Sequence, residues 1–359
     1  MGDVAMTVPV VQALVRTYPE LMVSVLSRSW ARPLFEALGP RVRFIEADVR
    51  GRHKGVVGLL RLCAELRRMG FTHVADLHSV LRSHVVRCVL ALGGAQVACL
   101  DKHRGLRRRL CSMGADAFLR WCGDNDKRCL PTVFKAYTDV LGLAGYSLPP
   151  FIFDHFQPLV PDDLPDRRYD AAVIPGAEAL GCKVLYGIAP FAAHPGKELP
   201  RPLVEQLIDT LLTSQPESGV VLFGRGQRED AVFASWLRRW PERVAVAADV
   251  CGDIVDELQL MSRLRVMLSM DSANQHLASL VGTRVVTVWG QTHPAAGFMP
   301  WGQQPADSIQ ADMPCRPCSI FGNSRCRLSG VAPGRFPCIE AITARRVAAA
   351  MMARRSSDA

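Results

Sequence analysis

Leu268–Pro294, LSMDSANQHLASLVGTRVVTVWGQTHP, restricts the possible folds more than any other stretch of the chain. The run Val266–Met270 has the length and character of one buried strand. Asp271 and Ser272 follow it, both residue types that cap helix starts. Ala273, Leu277, Leu280 and Val281 then recur at helical spacing, and Gly282 stops the helix. Val285, Val286, Val288 and Trp289 form a second buried strand, ended by Gly290. The whole reads as a βαβ unit. Ligands of parallel sheets lie at the carboxyl ends of the strands. Asp271, Ser272 and Gly290–Gln291–Thr292 stand there, with His276 one turn beyond Ser272 on the same helical face. A hydroxyl, an imidazole and free backbone N–H groups at a helix start suit a pyrophosphate. An ordinary buried βαβ unit whose polar residues only cap it is the competing reading.

The same alternation extends along the chain. The first half predicts a helix over Thr7–Arg16 with Pro9 in its first turn, strands over Leu21–Leu26, Val42–Ala47, His73–Leu77 and Val97–Leu100, and helices over Val56–Met69 and Val80–Leu92. The Pro- and Asp-rich Pro149–Arg168 reads as a linker. The second half predicts strands over Val184–Ala192, Gly219–Phe223 and Val244–Ala247, and helices over Arg201–Leu212, Glu229–Leu237, Ile254–Met261 and Ala341–Ala353. Helix–strand alternation argues for doubly wound parallel sheets of the α/β class. Gly224–Glu229 follows a strand but lacks the third glycine of a dinucleotide fingerprint.

With 359 residues the chain is long enough for two cores. No apolar run reaches the length of a membrane span, the best being cut by Arg87 and Gly93–Gly94. No secretory signal is expected, which points to the cytoplasm. The formal charge of +9 is carried mostly by arginine, clustered at Arg50–Lys54 and Arg104–Arg109. Such clusters suit an anionic membrane face or a phosphorylated substrate, or simply solvated surface. No nucleic-acid-binding signature accompanies them, so no nucleic-acid partner is expected. Of 12 cysteines, eight are scattered as reduced thiols would be. Cys315, Cys318, Cys326 and Cys338 are spaced C-x2-C-x7-C-x11-C, which suits a structural zinc; reduced thiols and disulfides are the alternatives. Asp124–Asn125–Asp126 mimics a metal-binding D-x-D but lies in a polar stretch and reads as a solvated loop.

Leu268–Pro294 resembles the D-S/T-G-x-x-H-L-A-A-x-L-G-T-P-V-V-x-L-F-G-x-T-x-P signature of glycosyltransferase family nine, the bacterial lipopolysaccharide heptosyltransferases. Gly2–Pro9, GDVAMTVP, resembles that family's N-terminal G-D-V-L-x-T-x-P motif. Similarity of this kind runs over nearly the whole chain. It implies the GT-B architecture, two Rossmann-like domains facing a cleft. Residues 1–160 would be the acceptor-binding domain. Residues 161–340 would bind the nucleotide sugar and carry the cysteine cluster, and 341–359 would be a closing helix and tail. The family has a strand before its Gly-Asp motif; here that first strand is missing, so a misplaced start or a truncated product is expected.

The resemblance also implies roles. Asp3 matches the catalytic general base, expected in a loop before a helix; a helix cap is its bland alternative. Lys197, in His194–Pro200, matches a lysine that contacts donor phosphates, with Leu199 where the family has Trp. The bland reading is a surface lysine, although only six lysines stand against 37 arginines. Asp271, Ser272, His276 and Thr292 would complete the donor site. Ala273 replaces a glycine there, and its methyl crowds an approaching phosphate. Glu229 binds a ribose hydroxyl or only favours its own helix start. Asp76, His78 and Arg82 match an acceptor-side turn, with Ser79 where the family has Gly; a structural turn is equally compatible.

The expected function is therefore inverting, metal-independent transfer of a heptose, from ADP-heptose, to the lipid A–inner core of lipopolysaccharide. It would take place at the inner face of the inner membrane, without a catalytic cofactor. Transfer of another nucleotide sugar to another surface glycan, or an inactive truncated donor-binding protein, are the alternatives.

Overall fold

The computed structural model describes residues 1–125, 128–149, 157–159, 182 and 184–353. Asp126, most of the expected linker, the expected boundary at 160/161 and the tail beyond 353 lie outside the described residues. The chain divides into two compact units. The first takes Met1–Arg104 and returns from Pro131 to Leu159; the second takes Gly105–Leu130 and nearly everything from Asp166 onward.

The first unit begins with α1 (Gly2–Ala5) and α2 (Thr7–Thr17), followed by β1 (Val23–Ser27), α3 (Arg32–Glu36) and β2 (Val42–Glu46). Then come α4 (Gly55–Arg68), β3 (His73–Asp76), α5 (Leu81–Leu92) and β4 (Gln96–Cys99). The strands form two separate parallel pairs, β1–β2 and β3–β4, so among the described residues each of the four strands keeps one unpaired edge. Helices α4 and α5 bury Leu62, Leu66, Val86 and Leu90 in one cluster, against which Ile45 of β2 and Val74 of β3 pack.

Next, α6 (Arg104–Met113) and α7 (Ala115–Cys122) belong to the second unit, whereas α8 (Val133–Leu143) belongs to the first. None of these three was read from the sequence. Leu110 and Phe118 bury against Ala296 of the second unit, and Ala115 N–H donates to the Arg316 carbonyl at 2.6 Å.

The second unit continues through β5 (Val184–Ala189), α9 (Arg201–Ser214), β6 (Ser218–Leu222), α10 (Gln227–Arg239), β7 (Val244–Val246), α11 (Ala247–Val250) and α12 (Ile254–Ser262). It then runs through β8 (Val266–Met270), α13 (Ala273–Leu280), β9 (Val285–Trp289), β10 (Ser308–Gln310), α14 (Pro337–Glu340) and α15 (Ala344–Met352). One six-stranded parallel sheet has the order β10-β9-β8-β5-β6-β7. Every residue of β6, β8 and β9 is buried, which explains their unbroken apolar runs. Burial of each Val, Leu or Met in such strands stabilises by roughly 1.5–3 kcal/mol. The chain leaves β5 outward to β6 and β7, then crosses back to β8. The order therefore reverses between β5 and β8, where this class of sheet opens a crevice.

Asp76 ends β3 and builds the turn that follows. Its Oδ1 accepts from the His78 and Ser79 N–H groups at 3.1 and 2.8 Å, and its Oδ2 pairs with Arg87 at 3.1 Å. Ser79 closes the turn at φ +48°, a left-handed conformation that glycine adopts without cost. Ser79→Gly should raise the unfolding free energy by about 0.5–1 kcal/mol, the relief of strain less the added chain entropy. A lower urea midpoint for the variant would contradict this.

Candidate active site

The switch point brings together two residues 74 positions apart. After β5, the short turn Pro195–Lys197 carries Lys197 inward. At the end of β8 stands Asp271. Lys197 Nζ lies 3.3 Å from Asp271 Oδ2, and the two side chains are only 14% and 10% exposed. Two glycines permit the approach. A side chain on Gly196 would collide with Gln291, and one on Gly322, at φ +74°, with the Lys197 stem.

Asp271 sits in a tug between burial and its partners. Burial raises its carboxyl above the ordinary range, while Lys197, Thr292 and Gln275 favour the charged form. Gln275, fully buried, donates to Asp271 Oδ1 at 3.3 Å. Ser272 occupies the N-cap of α13, but its hydroxyl faces Ser269 Oγ at 3.2 Å, and no side chain caps the helix. Its first N–H groups are thus free of side-chain partners, and the macrodipole favours an anion there. Ala273 is the first residue of α13 and only half-buried.

His276 lies 95% out of solvent, its Nδ1 without a hydrogen-bond partner in the described structure. Burial first, and the Lys197 charge second, lower its imidazole to about 3. Gln291 is also buried; its amide N–H donates to Ser324 O at 2.8 Å, while Oε1 lacks a partner. Thr292 is 1% exposed. Buried polar atoms left unpaired are costly unless a ligand answers them. The expected donor residues Lys197, Asp271, Ser272, Ala273, His276 and Thr292 all belong to this second-unit neighbourhood.

Glu229 is in the first turn of α10 and accepts from Arg225 N–H at 2.9 Å. Burial raises its carboxyl, opposed by that hydrogen bond. In the first unit, Asp3 is exposed and lies inside α1 rather than in a loop, because Met1–Met6 closes a helical turn ahead of α2. Tyr137 Oη donates to the Asp3 carbonyl at 3.4 Å. His78 and Arg82 are exposed.

Arg316, in the middle of Cys315–Cys318, was not singled out from the sequence. It is 3% exposed, and its guanidinium donates to the carbonyls of Gly290, Trp289, Thr292 and Ala311 and to Gln310 Oε1. It thereby holds the turn after β9. Its place between two cysteines is the one signal that a buried cation was at work there. Cys315, Cys318, Cys326 and Cys338 line one small cavity beside it. All four are free thiols. Burial raises Cys318, and pushes Cys338 up to about 11. Among the described residues no three His, Cys, Asp or Glu side chains stand in a metal-holding group. The donor set is chemically apt for a soft cation.

A buried lysine–carboxylate pair, a helix start without a side-chain cap and a buried imidazole thus stand together at the switch point of a parallel α/β sheet. Residues 154–325 match the family profile of glycosyltransferase family 9 (heptosyltransferase). No curated protein sequence matches the chain. Among solved structures it resembles ADP-heptose LPS heptosyltransferase II of E. coli, at 18% identity and a TM-score of 0.62, covering 98% of this chain and 94% of that one. It also resembles E. coli heptosyltransferase WaaC with ADP, at 16% identity and a TM-score of 0.56, over 97% and 94% of the two chains. The iron-containing dodecameric glycosyltransferase TibC of enterotoxigenic E. coli matches at 12% identity and a TM-score of 0.54, over 98% and 72%. These likenesses share the two-domain α/β fold expected from the sequence.

The imidazole gives a test. In the unfolded chain His276 titrates near its ordinary 6.5, whereas folded it resists protonation down to about 3. Between these values the unfolded chain holds the extra proton. The unfolding free energy should therefore fall as pH drops through that window, by at most about 1.4 kcal/mol per pH unit from this group. His276→Gln should flatten the slope in urea titrations across the window. Equal slopes would show that the ring is not held neutral.

Proposed function

We propose that the chain is an inverting glycosyltransferase that moves a heptose from ADP-heptose to the inner core of lipopolysaccharide. The observation that carries this is the Lys197–Asp271 pair at the switch point, inside the span that matches the family 9 profile. As the bond from the anomeric carbon to the diphosphate breaks, negative charge collects on the departing ADP. Lys197 and the free N–H groups of α13 would offset it. Thr292 and Ser272 supply hydroxyls to the same neighbourhood, and Glu229 offers a carboxylate for the ribose.

In the first unit, Asp3 would take the proton of the acceptor hydroxyl while that oxygen bonds to the anomeric carbon, a single displacement that inverts the sugar. His78 and Arg82, both exposed, are the acceptor-side groups of this reading; the Asp76 carboxylate is spent on its own turn and Arg87. Peripheral contact with an anionic membrane is supported by α4, which exposes Val56, Val57 and Leu60 at 75%, 75% and 55% beside exposed Arg52, Lys54 and Arg61. Among the described residues no helix is long and apolar enough to cross a membrane.

Asp3→Asn should lower turnover of ADP-heptose onto a lipopolysaccharide acceptor by about 10²–10⁴-fold. Calorimetric affinity for ADP should stay unchanged. Undiminished turnover would remove Asp3 from the chemistry.

For the cysteine lobe we propose a structural zinc held by Cys315, Cys318, Cys326 and Cys338. A bound cation would hold the thiols as thiolates against the burial that now raises Cys318 and Cys338. Elemental analysis of the purified protein should then find about one equivalent of metal. Less than about a tenth would leave four reduced thiols as the answer.

A further inference from the structure

Gln275 was passed over in the sequence, yet it is fully buried between the two groups that matter most in the donor neighbourhood. Its Nε2 lies 3.2 Å from the Phe298 carbonyl, 3.3 Å from Asp271 Oδ1 and 3.2 Å from His276 Nε2. A carbonyl oxygen only accepts, so the atom facing Phe298 must be the amide nitrogen and not the amide oxygen. Asp271 Oδ1, when ionised, imposes the same orientation. The amide nitrogen cannot accept, so a proton on His276 Nε2 would meet only N–H groups; that ring nitrogen instead offers a lone pair to the two N–H groups that these three acceptors share. A neutral ring with a lone pair on Nε2 carries its proton on Nδ1. This Nδ1 is the buried atom that lacks a partner. A doubly protonated ring would set N–H against N–H, beside the Lys197 ammonium.

We propose that Gln275 is a positioning residue: it locks His276 as the Nδ1–H tautomer, so that the ring presents a buried donor to an acceptor oxygen of the ligand. A ring fixed this way cannot ligate a cation through Nδ1, and it cannot take a proton there as a base. It selects for an oxygen with lone pairs, such as a phosphate oxygen of a nucleoside diphosphate. That last step rests on the donor-site reading above; the tautomer rests on geometry alone.

The test uses the intact, uniformly ¹⁵N-labelled chain and long-range ¹H–¹⁵N correlation of the imidazoles, with His276→Gln to assign the signal. Nδ1 should show the shift of a protonated ring nitrogen and Nε2 that of a bare one, unchanged from about pH 8 to about pH 5. An Nε2–H pattern, or titration in that range, overturns the proposal without any further variant. Gln275→Met keeps the volume and removes the donor. It should release the tautomer and weaken ADP binding by about tenfold in calorimetry; an unchanged tautomer overturns the proposal. Should that variant not fold, Gln275→Glu replaces the donor with an acceptor and should turn the ring to Nε2–H, and a retained Nδ1–H would again overturn it. If the wild-type tautomer is as stated but ADP at millimolar concentration does not bind, the positioning role stands and the donor-site reading falls.

Discussion

The second unit is organised around two opposite charges that meet out of water between β5 and β8. Lys197 and Asp271 come from loops at the carboxyl ends of neighbouring strands, and each would be costly to bury alone. Together they fix the Pro195–Lys197 turn against the end of β8. Everything near them conforms. Gly196 and Gly322 lack side chains where the lysine stem and Gln291 must pass, and Gln291 N–H closes on the Gly196 carbonyl at 3.0 Å. The pair contributes little net stability by itself, since desolvation offsets the attraction. Its value lies in holding a cation ready at a point where the sheet opens.

Arg316 performs the corresponding task on the other side of the crevice. Its guanidinium joins three successive stretches of chain: the end of β9, the turn through Thr292, and the strand-end residues Gln310 and Ala311. Desolvation lowers its pKa, yet it remains the cation beside four thiols. Cys315 and Cys318 lie beside it in the chain, so one residue joins the cysteine lobe to the Gly290–Thr292 turn. Cys318 N–H also donates to the Gln291 carbonyl at 3.1 Å. The lobe is thus tied to the Gly290–Thr292 turn through backbone as well as side chain.

Much of this frame was legible in the sequence because parallel strands buried on both faces leave unbroken apolar runs. Val266–Met270 and Val285–Trp289 are such runs, and Gly282, at φ +78°, marks the helix end between them. The helices between 104 and 143 were not legible. The Arg-rich run of α6 reads as solvated surface, and only packing with Ala296 inside the second unit reveals why Leu110 and Phe118 are apolar. Asp3 was placed in a loop because GDVA gives no helical period over four residues. Gln275 and Arg316 escaped for a different reason. A neutral amide and a buried guanidinium acquire their roles only from atoms far along the chain, Phe298 for one and Trp289 to Ala311 for the other.

The charges at the crevice also determine what can enter it. An arriving diphosphate would compete with Asp271 for the Lys197 ammonium, and Asp271 is prepared to yield, since burial already works against its ionised form. Gln275 keeps one carboxylate oxygen engaged while the other turns to the lysine. A metal cation would meet the opposite surroundings: a lysine, a helix start and an imidazole whose accepting nitrogen is occupied. The lysine and the helix start supply positive potential there, the neutral imidazole supplies a hydrogen-bond donor, and the Asp271 carboxylate is the one opposing charge among these groups.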